Sequence, residues 1–150
     1  MNTNFDFEKF ERLKGLEAGL YCAKWSQAHT VGEDFLSYFK RKASSFDDEH
    51  LEQALALLAK TSYPNAYHEI ANYMQHPYAS VRLLARNVIS HLPSIDEIIM
   101  AHVVSTLASP VDTLGIQELR TALEHPANAA AKNIAEQYLG TKGKAESSSR

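Results

Sequence analysis

Apolar residues recur every three to four positions along nearly the whole chain, and a proline or a helix-capping residue closes each such run. No segment alternates apolar and polar residues over a strand length between turn signals. An amphipathic helix has one stripe to bury and must lay it against a neighbour. The pattern therefore predicts an all-α protein of seven to eight packed helices.

The runs can be placed in order. Asp6 is an N-cap candidate for a first helix reaching about Gln27, with Leu13, Leu16, Leu20 and Ala23 at helical spacing. Thr30-Val31-Gly32-Glu33 has the form of a capping box ahead of Val31, Phe35, Tyr38 and Phe39. Asp47, Asp48 and Glu49 open a third helix with a Leu51/Leu55/Leu58 stripe, because negative charge is favourable in a first turn. Pro64 suits the first turn of a fourth helix carrying Tyr67, Ile70, Ala71 and Met74. Val81, Leu84, Ala85, Val88 and Leu92 mark the fifth. Ser94-Ile95-Asp96-Glu97 has the form of a second capping box, followed by Ile95, Ile98, Ile99, His102 and Val103. Ile116, Leu119 and Leu123 mark the seventh helix. Ala130, Ile134 and Tyr138 mark the eighth, which is expected to stop at Gly140.

At 150 residues the chain is long enough to bury a core without disulfides or metal. Its one cysteine, Cys22, excludes an internal disulfide and a cysteine zinc cluster. The first residues lack the basic and apolar regions of a signal peptide, and no stretch of 18 apolar residues occurs; a cytoplasmic protein is the expectation. The net charge is −3, but residues 1–139 hold 17 acidic and 12 basic side chains. An acidic body disfavours phosphate backbones and suits a basic partner, and the alternative is that so mild a charge only aids solubility.

Two segments share a pattern. Met74-Gln75-His76-Pro77 and Leu123-Glu124-His125-Pro126 each end a helix with apolar-x-His-Pro, and the next helix starts after a tight turn. With one residue inserted, Val81-Arg82-x-x-Ala85 aligns with Ala131-Lys132-x-x-Ala135. The first segment resembles the second half of a HEAT-type repeat, through Pro77, Val81, Arg82, Ala85 and Ile89. The resemblance covers about residues 64–139 and implies a short right-handed stack of antiparallel helix pairs, HEAT/armadillo-like. On this reading residues 1–139 are one domain, residues 1–60 are a cap without a copy of the motif, and residues 140–150 are a disordered tail. The second copy departs from the motif at Ala131 and Lys132, and the spacing of about 50 residues exceeds one ordinary repeat. An irregular helical bundle is the alternative.

The chain carries no His-Glu-x-x-His motif and no glycine-rich phosphate loop, and no two of its seven histidines lie three or four residues apart. His76, His91 and His125 fall at helix C-termini, where a histidine suits the terminal carbonyls. Cys22 has no local base and reads as a structural thiol. No catalytic residue, metal or cofactor is expected.

Binding is expected instead on side chains off the core stripes. Tyr73, Tyr63 and Tyr78 lie on or near the fourth helix, and Arg82 and Arg86 project from the fifth. Tyrosine and arginine combine contact area with hydrogen bonding at interfaces. Asp47 and Asp48 complete the candidate set. The expectation is a non-catalytic protein-binding module. Small acidic helical chains of this size are similar to the immunity proteins that neutralise basic nuclease toxins. An adaptor in a larger assembly, and an enzyme or small-ligand binder with an unrecognised pocket, are the alternatives. No direct nucleic-acid or membrane contact is expected.

Overall fold

The computed structural model describes residues 5–61 and 64–148, and every regular element among them is helical. The α-helices are α1 (Phe7–Arg12), α2 (Gly15–Ala28), α3 (Glu33–Lys42), α4 (Asp48–Leu58), α5 (Pro64–Ala71), α6 (Ala79–Ser90), α7 (Glu97–Ala108), α8 (Ile116–Glu124) and α9 (Ala129–Ser148). Short 3₁₀ turns at Ala43–Ser45 and Pro126–Asn128 join α3 to α4 and α8 to α9. Neighbours in sequence pack as α1 on α2, α3 on α4, α5 on α6 and α7 on α8. Alternate helices also touch: α2, α4, α6 and α8 follow one another in one row, and α5, α7 and α9 in another.

The central helices follow their stripes. Leu51, Leu55 and Leu58 of α4, Ile70 and Ala71 of α5, and Val81, Ala85 and Ile89 of α6 are buried in one continuous core. Towards the amino terminus this core is aromatic: Phe5 packs within 5.1–5.7 Å of Phe10, Tyr21, Trp25 and Phe35. Beyond α6 it is aliphatic, built on Ile99, Met100, Val103 and Leu119.

Four local expectations are corrected. The first helix breaks at Leu13–Lys14, and α2 restarts at Gly15, whose φ of +50° a side chain would resist. Asp6 does cap α1, accepting from the Lys9 amide at 3.0 Å. Thr30 does not cap α3; Gly32 holds that position with no side-chain bond. Asp96, not Ser94, caps α7, accepting from the Ile99 amide at 2.9 Å. The α9 helix continues through Gly140 to Ser148, since one glycine costs a helix only about 1 kcal/mol.

The two His-Pro segments share one bond in different surroundings: α8 runs up to His125 and a 3₁₀ turn follows, whereas α5 ends at Ala71 and turns lead to His76, and neither ring makes the expected bond to a terminal carbonyl. His76 Nδ1 accepts from the Tyr78 amide at 3.1 Å, and His125 Nδ1 accepts from the Ala127 amide at 3.1 Å. Both histidines thus cap the N–H two residues on. His91 behaves as the sequence suggested and bonds a terminal carbonyl, that of Asn87, at 2.7 Å.

Candidate interaction surface

Tyr73, Tyr78, Arg82 and Arg86 lie about one turn, and the two arginines hold it together rather than face outward. Arg86 is 0% exposed. Its guanidinium donates to the Met74 carbonyl (2.8 Å), the Leu114 carbonyl (2.7 Å), Gln75 Oε1 (2.6 Å) and Asp112 Oδ1. Arg82 donates to Asp112 Oδ2 (2.8 Å) and to the His76 and Pro77 carbonyls (2.8 and 3.0 Å). Hydrogen bonds from Arg82 and then Arg86 hold Asp112 below the usual carboxylate range, against the upward pull of burial. Gln75 adds a bond to the Ser109 carbonyl at 2.8 Å. The expected surface role of both arginines is therefore corrected: they clasp the α5–α6 turn to the α7–α8 loop. Burying this much charge requires the full set of partners that Asp112 and the carbonyls supply.

The tyrosines are half-buried. Tyr73 meets Phe39 edge-on, with ring centroids 5.9 Å apart, and Tyr78 is the residue before α6. Tyr63 lies outside the described residues. Asp47 caps α4 through the His50 amide at 2.7 Å, and Asp48 is exposed in its first turn. These two carboxylates sit on a different element from the arginine clasp. Cys22 is buried, which pushes its thiol up to about 12 and keeps it protonated.

The surface that does stand open is elsewhere. The stripe Ala130, Ile134 and Tyr138, which the sequence assigned to the core, faces outward on α9: Ile134 is 45% and Tyr138 63% exposed. Beside it Ile98 of α7 is 57% exposed. Between the two helices lies an open groove of about 430 Å³, floored by Ile95, Ile98, Ala127, Ala130, Ala131 and Ile134 and lipped by Asp96 and Glu97. A buried asparagine anchors the start of α9 beside it. Asn128 Oδ1 accepts from the Ile95 amide at 2.8 Å, while Nδ2 donates to the Ala122 carbonyl at 2.8 Å. This pins the start of α9 between α7 and α8.

Of the two lip carboxylates, Asp96 is held ionised by its partners. Burial pulls Asp96 upward, but its bonds from the Ile99 amide and from His68 Nε2 leave it lowered. A second outward stripe runs along α2, where Leu16 is 78% exposed and Leu20 is half exposed. The α2 core face is instead Ala18 and Cys22, flanked by Tyr21 and Trp25.

No helix among the described residues is long and apolar enough to cross a membrane. Comparison with protein-family models, curated proteins and solved structures returns no match to this chain.

Proposed function

We propose that this chain is a non-catalytic protein-binding module, a short HEAT-like stack that recognises a basic protein partner through the acidic surface of its second half. The observation that carries the reading is the internal use of Arg82 and Arg86. With those two and Asp112 withdrawn into the clasp, residues 64–138 set Glu69, Asp96, Glu97, Glu118, Glu124 and Glu136 against only Arg120 and Lys132. Lys132 itself lies 3.0 Å from Glu124. The surface is thus more acidic than composition alone indicates, and a field of one sign speeds and selects encounters with the opposite sign.

An inhibitor or immunity role, in which the chain masks the basic surface of a partner such as a nuclease toxin, fits this charge and size by analogy. The test is purification of the full chain with its native partner, followed by charge reversal at Glu97→Lys and Glu118→Lys. The reading expects a basic partner at fixed ratio whose affinity falls at high salt and falls about tenfold or more in the double variant. A partner of acidic surface, or one held equally by the charge-reversed chain, removes the reading.

A further inference from the structure

We propose that the α7–α9 groove receives an amphipathic α-helix of the partner, laid apolar face down with lysine or arginine side chains against Asp96 and Glu97. The inference rests on the proposed preference for basic partners and names the shape of the segment that is bound.

Three observations lead there. First, the floor is apolar and accessible: Ile98 and Ile134 are about half exposed on facing helices. Contiguous apolar surface between helices is where a third helix gains most from burial. Second, every regular element among the described residues is helical. An occupant finds no sheet edge there to pair with, so a segment that enters must satisfy its own amides and carbonyls, and a helix does so. Third, Ala130 and Ala131 leave room for close approach of a helix backbone, as short interaxial distances need small side chains at the contact.

Charge fixes the character of the occupant. Glu97 is exposed at the lip, and Asp96 stays ionised beside it. An anionic helix would set carboxylate against carboxylate, whereas a cationic one neutralises both.

The experiment uses the full chain and a synthetic amphipathic helix of leucine and lysine, roughly 18 residues or five turns long. A scrambled peptide of the same composition, and a glutamate-for-lysine counterpart, are the comparisons. Fluorescence anisotropy reads binding. Ile98→Glu and Ile134→Glu place charge in the floor, and Ala130→Trp fills it without altering charge. Leu20→Glu alters the exposed stripe of α2 and serves as control, and circular dichroism confirms that each variant folds. The inference expects the helical cationic peptide to bind wild type and the control alike. The three groove variants, and the two comparison peptides on wild type, should bind about tenfold or more weakly.

Equal binding by the groove variants overturns the inference. So does equal binding of the scrambled cationic peptide, which leaves the basic-partner reading standing. Absence of binding by either cationic peptide contradicts both. A wild-type dimer that dissociates on Ile98→Glu and on Leu20→Glu would mean that a second copy's α2 fills the groove, and this also overturns it.

Discussion

His50 offers a test of how the amino-terminal helix is held. Its ring is almost fully buried, and both nitrogens face acceptors. Nδ1 lies 2.9 Å from Asp47 Oδ1, and Nε2 lies 2.7 Å from the Leu13 carbonyl and 3.2 Å from that of Phe10. Those carbonyls belong to the break between α1 and α2, where helical bonds stop. A neutral imidazole has one donor, so only the imidazolium satisfies both sides. Burial pulls the His50 pKa down, but the bond and charge of Asp47 and the two carbonyls outweigh it and leave the pKa raised. A raised folded value means the stabilisation is complete below the ordinary histidine pKa of about 6.5 and is lost as pH rises through the folded value. Asp47 runs the other way. Led by the His50 amide bond, its pKa is lowered, so its contribution holds above the usual carboxylate range and fades as pH falls through the lowered value. One bond to a charged group is worth about 1.5–3 kcal/mol. Because Asp47 is largely exposed, the lower end applies, and the loss between pH 6 and 9 is expected at roughly 1–2 kcal/mol. Urea unfolding at pH 6, 7.5 and 9, on wild type and His50→Gln, measures it. The glutamine variant should be destabilised by about 2 kcal/mol at pH 6, from the lost charge and one orphaned acceptor, and should lose less between pH 6 and 9. Parallel decline of the two proteins with pH would refute the charged latch.

Other consequences follow from single residues. Asp112→Ala strands two arginines and should cost about 3–5 kcal/mol in chemical denaturation, more than Arg82→Ala, which leaves Arg86 paired with Asp112. Asn128→Ala leaves the Ile95 amide without its partner and the Ala122 carbonyl with only the His125 amide, 3.3 Å away; a loss of about 1–3 kcal/mol in thermal unfolding is expected. Gly115 has φ +67°, and a Cβ there would sit 3.3 Å from Arg86 Cβ. Gly115→Ala should therefore destabilise by roughly 1 kcal/mol or more, and a neutral result would contradict the left-handed cap.

The helical class and the stripes of α4, α5 and α6 were legible because those helices have neighbours on both sides. A 3.6-residue stripe then reports what is covered. The same signal failed on α2 and α9. Leu16, Leu20, Ile134 and Tyr138 are periodic and apolar, yet periodicity says only that a face is apolar, not that anything lies on it. The arginines failed for a different reason. Off-stripe position suggests surface, but Arg86 finds Asp112 26 residues away in a loop, and nothing local announces that pairing. Asn128 is similar: its partner amide at Ile95 is 33 residues distant. The break at Leu13–Lys14 did leave a trace in Gly15, which permits the left-handed restart, and a long-range histidine completes it. Capping boxes were found in the right neighbourhoods and misplaced by two residues at Gly32 and Asp96, because cap chemistry is local while helix starts also answer to packing.

The most direct test of the binding account is amide chemical-shift mapping of the full chain with its co-purified partner, at low and high salt. The account predicts that the perturbed amides cluster at residues 95–98 and 127–134, and that the shifts collapse as salt rises. A perturbed set centred on the Met74–Tyr78 turn or on α2 and α4, with the α7–α9 groove unmoved, would contradict it.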